Sequence, residues 1–237
     1  MEFQDKVVVV TGGAKGIGKC ISEMFQKEGA HVCVIDIEEN DYFQGDIGNK
    51  EVLEKFYHKV IHDYGHVDYL IHNAKPLFKG INECTYEEFQ YAMSVGVTAP
   101  FYLTELFQDD FRKGGCIINI SSSRDGMSQP QSESYSAAKG GIHALTHSLA
   151  MSLAGKVRVN SISPGWIQTE SDQTVYQRAD VLQHPVKRTG KVEDIAHMVL
   201  FLCSDKASFI TGENICIDGG MTKQMIYHGE HGWEYKG

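Results

Sequence analysis

"KVVVVTGGAKGIG", Lys6–Gly18, runs from a β-branched apolar stretch through a glycine-rich turn into an amphipathic repeat. The valines Val7–Val10 form a run too short to cross a membrane or to serve as a signal-peptide core. They read as a strand buried on both faces. Beyond the turn, Ile17, Ile21, Met24 and Phe25 fall on one helical stripe. Glycines at positions 12, 16 and 18 let the backbone turn sharply and let an anionic group approach the first helical amides, where the dipole favours negative charge.

The same alternation continues along the chain. His31–Asp36 and Tyr42–Ile47 read as strands two and three, and Asn49 can cap a helix carrying Val52, Leu53, Phe56, Val60 and Tyr64. Strand four is Val67–His72; a segment from Thr85 to Arg112 reads helical, interrupted at Gly96. Strand five is Cys116–Ser121, followed by a helix from about Ser134 with Ile142, Leu145, Leu149 and Leu153. Strand six is Val157–Ile162, and strand seven is Asn214–Asp218 after a helix marked by Ile195, Met198, Val199 and Leu202. Strands apolar on both faces, alternating with helices, predict an α/β fold: a three-layer, doubly wound Rossmann arrangement with a seven-stranded, mostly parallel sheet. No linker, repeat or low-complexity segment divides residues 1–237, so one domain is expected, with a tail over residues 221–237. The crossover between strands two and three is abnormally short. Its five residues reach roughly 17 Å, so it is a bare extended return, or strand three pairs only briefly.

The totals narrow the function classes. A chain of 237 residues with 42% hydrophobic and 22% charged content is ordinary for a folded globule, and its net charge of −9 argues against nucleic acid as the main partner. The six cysteines are scattered without a C-x-x-C pair and the 11 histidines are dispersed, so no metal site is expected. Reduced thiols and the lack of a membrane-length run suit a cytoplasmic protein.

Asp36 ends strand two, 18 residues after Gly18. A carboxylate there can accept hydrogen bonds from adenosine ribose hydroxyls and repel a 2′-phosphate, so NAD is favoured over NADP. Lys15, inside the glycine turn, pulls toward NADP. Asp46 and Ile47, at the end of strand three, can border an adenine or simply cap a strand end before a helix. Tyr135 and Lys139, in "YSAAKGG", share a helical face, but about one such Tyr-x-x-x-Lys match is expected by chance in this composition.

The neighbours give that pair its meaning. Ser122 closes strand five, "SPGWIQT" (Ser163–Thr169) follows strand six, and "GENICIDGG" (Gly212–Gly220) follows in the same order as the glycine turn and the Tyr–Lys pair. From Lys6 to Gly220 the chain resembles the short-chain dehydrogenase/reductase family in its single-domain, NAD(P)-dependent branch. The resemblance implies that Ser122 orients the substrate oxygen and Tyr135 is the general acid/base. It implies that Lys139 holds the nicotinamide ribose and lowers the Tyr135 pKa. Bringing a tyrosine from near 10 to near 7 takes about 4 kcal/mol, which one cation at ~4 Å can supply at an effective dielectric of ~20. The resemblance further assigns Gly12, Lys15, Gly16, Ile17, Gly18, Asn73, Ala74, Pro164, Gly165, Ile167 and Thr169 to the cofactor cleft. Two positions depart from the family pattern: Lys75 stands where a glycine is usual, and Gly96 where an asparagine holds a relay water.

The loops expected around a substrate carry Lys75, Arg124, Asp125, Gln131, Glu133, Trp166 and Gln168 and few aliphatic residues. That lining suits a polar secondary alcohol or ketone such as a sugar, polyol or small hydroxy compound, although such groups can equally face solvent. Two other readings share the motifs: an NADPH-dependent carbonyl or ketoacyl reductase, supported by Lys15, and a non-catalytic NAD-binding regulator, supported by Gly96 and Lys75. The family implies a homotetramer or homodimer, with Phe101, Leu103, Leu106, Leu145 and Leu149 offering apolar surface. The tail, with Met221, Met225, Ile226, Tyr227, Trp233 and Tyr235, is expected either to strap its own core or to cross a subunit interface.

Overall fold

The computed structural model describes residues 1–170, 174–230 and 234. In chain order it contains β1 (Val7–Thr11), α1 (Gly16–Lys27), β2 (His31–Asp36), β3 (Phe43–Gln44), α2 (Lys50–Tyr64) and β4 (Val67–His72). Then come α3 (Tyr86–Met93), a π-helical turn (Ser94–Thr98), α4 (Ala99–Phe107), β5 (Phe111–Ile120) and α5 (Glu133–Ser152). The described remainder holds β6 (Val157–Pro164), β7 (Ile167–Gln168), α6 (Arg178–Leu182), β8 (Gly190–Lys191), α7 (Val192–Cys203) and β9 (Asn214–Ile217). Seven strands form one parallel sheet in the order β3-β2-β1-β4-β5-β6-β9, as the alternation predicts.

Two cores flank this sheet because successive strand residues point to opposite faces. Val7 and Val9 of β1 pack with Phe56 and Val60 of α2 and Leu103 of α4. Val8 and Val10 pack on the other side with Ile21 and Phe25 of α1 and Val199 and Leu202 of α7. Each valine buried in this way contributes about 1.5–3 kcal/mol. A four-valine run is therefore what a central strand between two helical layers needs. Asn49 caps α2 as expected, accepting from the Glu51 amide at 2.9 Å, and Gly65 ends that helix in the left-handed region at φ 72°.

Several boundaries differ from the sequence reading. Strand three is only Phe43–Gln44 rather than Tyr42–Ile47, pairing with Ile35 and Asp36. Its short return needs no helix because Asn40 supplies the missing partners: its Oδ1 accepts from the Tyr42 and Phe43 amides, and its Nδ2 donates to the Glu38 and Phe43 carbonyls. The helix expected through Arg112 stops at Phe107, and Phe111 instead pairs with Val67 at the start of β5. Ser122 lies past the end of β5, at the start of a 3₁₀ turn. Strand six runs on to Pro164, strand seven stops at Ile217, and the small β7–β8 pair is unanticipated.

The interruption at Gly96 is a π turn, in which the Ala99 amide reaches back five residues to the Ser94 carbonyl. Pro100 explains it, because proline lacks the N–H that would bond the Gly96 carbonyl in an α-helix. The proposed apolar assembly face also needs revision. Leu103 and Leu149 belong to the core, Leu106 and Leu145 pack against it, and of the five only Phe101 is half exposed. In the tail, Met225, Ile226 and Tyr227 are exposed and do not strap this chain's own core. Trp233 and Tyr235 lie outside the described residues.

Candidate active site

The glycine turn sits at the carboxyl ends of β1 and β4, the neighbouring strands at which the strand order reverses. Gly12 has φ +66°, and a Cβ there would lie 2.7 Å from Ala74 Cα, so a side chain would push away the loop after β4. That loop is tied down by Asn73, whose Nδ2 donates to the Gly12 carbonyl at 2.8 Å and whose amide donates to Thr11 Oγ1 at 3.0 Å. No side chain caps α1, and no acidic residue stands in its first turn. The open, unopposed amides of this helix end suit the pyrophosphate of a dinucleotide.

Asp36 is buried beside the turn. Its Oδ2 accepts from the Ala14 amide at 2.9 Å and its Oδ1 from the Glu38 amide at 3.0 Å. The backbone thus fixes the carboxylate and leaves further lone pairs for ribose hydroxyls. Lys15 is ion-paired with Glu38 at 2.6 Å, so its charge has a partner outside the cleft. Asp46 accepts from the Gly48 amide at 2.8 Å and from the Tyr91 hydroxyl at 3.1 Å. A lone tyrosine on a helix carries no signal in sequence, so only the fold brings Tyr91 to the cavity wall.

α5 presents Tyr135 and Lys139 to the same cleft. Lys139 is buried and donates from Nζ to the Ile120 carbonyl at 2.6 Å. Its Nζ stands 5.6 Å from the centre of the Tyr135 ring, so it faces the ring as well as the strand end. Ser122 lines the same cavity, and its Oγ accepts from the Arg124 amide at 3.2 Å. Burial governs the electrostatics of both groups. Burial pushes the Tyr135 phenol up, opposed by the nearby Ser122 hydroxyl and the Arg124 charge. Burial, and next the charge of Lys75, push the Lys139 ammonium down to about 7, against the pull of Asp125. Desolvation is the largest cause for both groups, because both side chains are taken out of water.

One cavity of about 630 Å³ unites these groups. Ser122, Tyr135 and Lys139 line it together with Gly12, Lys15, Gly16, Ile17, Asp36, Asp46, Ile47, Asn73, Ala74, Pro164, Gly165, Ile167 and Thr169. Gly18 lies beneath, where a Cβ would meet the Gly12 carbonyl oxygen at 2.1 Å. Of the expected substrate residues only Lys75 lines the cavity. Arg124 lies over the Phe78 ring, which packs against the Tyr135 ring at 5.3 Å. Gln131 turns away to accept from the Asn82 amide, and Trp166 packs on Tyr176. Asp125 is a group whose role in the structure spacing did not reveal. Its Oδ2 accepts from Ser121, Ser163 and Asn214 and lies 3.3 Å from His143 Nδ1, binding α5 to the ends of three strands. Among the described residues no cluster of His, Cys, Asp or Glu could hold a metal ion, and no helix is long and apolar enough to cross a membrane.

A family model described as enoyl-(acyl carrier protein) reductase matches residues 12–222. An uncharacterized oxidoreductase of Thermotoga maritima is 39% identical over 95% of this chain and 99% of its own length. An NAD-dependent glycerol dehydrogenase of Listeria innocua is 34% identical, covering 92% of this chain and 94% of its own. Among solved structures, an apo SCOR enzyme from Clostridium thermocellum superposes with a TM-score of 0.90 at 44% identity, over 98% of each chain.

Proposed function

This chain belongs to the short-chain dehydrogenase/reductase family and is an NAD(P)-dependent oxidoreductase; from that premise we propose that it works with NAD on a polar secondary alcohol or ketone. The substrate class is a sugar, polyol or small hydroxy compound. The observation that carries the reading is the single cavity in which the glycine turn and Asp36 share walls with Ser122, Tyr135 and Lys139. The similarity to a glycerol dehydrogenase that uses NAD supports both cofactor and substrate class.

The bound nicotinamide supplies hydride exchange with the carbinol carbon. The chain's own residues handle orientation and the proton. Ser122 Oγ holds the substrate oxygen, and Tyr135 Oη takes the hydroxyl proton as the alcohol becomes a ketone, returning it in reduction. Lys139, held by the Ile120 carbonyl, would donate to a ribose hydroxyl of the bound cofactor, and in its protonated form would stabilise the phenolate. Gly96 carries no side chain with which to hold a relay water, so the proton leaves by another path. The same family relationship supports a homotetramer or homodimer, and residues 1–237 act as one domain.

Calorimetric titration with NAD and NADP tests the cofactor. NAD binds at least tenfold tighter, and Asp36→Ala narrows the gap, because the ribose acceptor and the repulsion of a 2′-phosphate go together. Equal dissociation constants in the unmodified protein reject NAD preference. Turnover on a panel of sugars, polyols and hydroxy compounds tests the reaction, and its absence across the panel rejects it.

A further inference from the structure

One carboxylate oxygen, Asp125 Oδ2, collects donors from four directions. Ser121 Oγ, just past β5, lies at 3.2 Å, Ser163 Oγ of β6 at 2.5 Å, Asn214 Nδ2 of β9 at 3.1 Å and His143 Nδ1 of α5 at 3.3 Å. Three of these donors adjoin groups that the reaction uses. Ser121 precedes Ser122, and its Oγ also donates to the Lys139 carbonyl at 2.9 Å. Ser163 precedes Pro164 and Gly165, which line the cavity. His143 lies one helical turn beyond Lys139, as Lys139 lies one turn beyond Tyr135. Asp125 itself closes the turn that begins at Ser122, since its amide donates to the Ser122 carbonyl at 2.9 Å. Its side chain is 9% exposed, and among the described residues its ion partner is the half-exposed His143. Burying a carboxylate is costly, so a site that only tied strands together would be served as well by a neutral side chain. The charge has a use where it stands. Lys75, after β4, opposes the Lys139 ammonium, and Asp125, after β5, favours it. Tyr135 and His143 flank Lys139 on its own helix, and Arg124, beside Asp125, lies over Phe78.

We propose that Asp125 is a positioning residue for the reaction: through Oδ2 it fixes Ser122, α5 and the Pro164–Gly165 wall at their working spacing, and His143 braces it from the solvent side. This rests on the dehydrogenase reading above. Asp125 acts on the chemical step more than on dinucleotide affinity, because Asp36, which faces the adenosine half, stands on β2, three strands from β5. Reacting groups that are misplaced slightly lose rate steeply.

The test uses Asp125→Asn, which keeps the size and an acceptor oxygen, with His143→Val and His143→Asn. Turnover is measured on whichever of glycerol, ribitol, gluconate and 3-hydroxybutyrate the parent oxidises fastest, and NADH dissociation constants are read by fluorescence from pH 6 to pH 9. Asp125→Asn lowers kcat by about 10- to 100-fold with KM little changed. His143→Val lowers kcat about threefold, and His143→Asn, whose amide can replace the Nδ1 donor, recovers it. NADH affinity falls as pH rises through about 7, where Lys139 loses its proton. In Asp125→Asn that fall begins about half a pH unit lower, because the charge that favours the ammonium is gone. A carboxylate that merely stabilised the fold would leave that pH unmoved. Turnover of Asp125→Asn close to that of the parent, or NADH curves that coincide in pH, overturn the proposal. If Asp125→Asn does not fold, a His143→Val protein with the kcat of the parent, or a His143→Asn protein no better than His143→Val, overturns it. If the parent turns over none of the four compounds, the NADH curves decide alone. A parent that binds no NADH strikes the dehydrogenase reading itself, and the positioning role falls with it.

Discussion

Tyr135 and Lys139 show what residue spacing can and cannot say. Their shared helical face is legible in the sequence, but the depth at which that face is buried is not. Depth decides the electrostatics: the phenol is pushed up and the ammonium down, although attraction between the pair alone would do the reverse. Tyr135→Phe is expected to lower turnover by about 10²–10⁴-fold while NAD affinity stays within about twofold, since only the proton-handling oxygen is lost. Lys139→Met damages both, and appreciable turnover by the phenylalanine variant contradicts the mechanism. His72, at the end of β4, went unread as an ionisable group. It is buried, its Nε2 lies 3.3 Å from Thr104 Oγ1, and burial pushes its pKa down from 6.5 to about 3. The folded protein therefore keeps it neutral while the unfolded chain protonates below about 6.5. Its contribution to stability is full above that pH and is lost as pH falls toward 3, at a slope approaching about 1.4 kcal/mol per pH unit. Urea unfolding at pH 7, 6, 5 and 4 should show that slope reduced in His72→Asn, and parallel curves for the two proteins would contradict it.

Among elements, the strands were the most legible and the helix ends the least. β1, β2, β4 and β6 announce themselves because a strand buried on both faces can contain little but β-branched and apolar residues. The end of the helix after β4 was hidden, since Phe111 suits a helix face as well as a strand facing Val67. The π turn was half visible. Gly96 marked an interruption, but its cause is Pro100, whose missing N–H leaves the Gly96 carbonyl without its usual bond. Packing then fixes the glycine. A Cβ at Gly96 would lie 2.6 Å from Ala138 Cβ and 3.3 Å from Pro76 Cβ, so the turn presses directly on α5 next to Lys139. Gly96→Asn is therefore expected to destabilise by about 1–3 kcal/mol through overpacking and to lower activity by displacing α5, rather than to restore a relay. Ala138→Gly in the same chain relieves the contact and should recover at least half of the lost stability in urea unfolding. A single Gly96→Asn variant as stable as the parent would show that the turn yields more easily than its packing indicates.

The whole molecule was readable in topology and opaque in assembly. A parallel sheet with helices on both faces follows from alternation alone. Which helix faces remain free for another subunit depends on how deeply each helix sinks into the sheet, and periodicity does not encode depth. Leu103 and Leu149 illustrate this, because both look like surplus apolar surface in sequence and both are core. What the fold does leave uncovered is elsewhere: Phe101 on α4, Met151 at the end of α5, and Met225, Ile226 and Tyr227 of the tail are each at least 44% exposed. Large apolar groups gathered in a short segment and turned away from their own core mark a surface that another surface covers. The proposed homo-oligomer would supply such a surface for the tail, which leaves the sheet after β9, next to β6, whose end supplies Pro164 to the cavity. Removing the residues after Lys223 is accordingly expected to shift the sedimentation profile toward smaller species and to raise KM for the substrate several-fold, with NAD affinity nearly unchanged. Replacing Tyr227 by Glu should reproduce the shift without shortening the chain, because a carboxylate buried at an interface without a partner is disfavoured. If both altered proteins sediment and turn over like the parent, the exposed side chains of the tail do not serve assembly, and the aromatic groups there need another explanation.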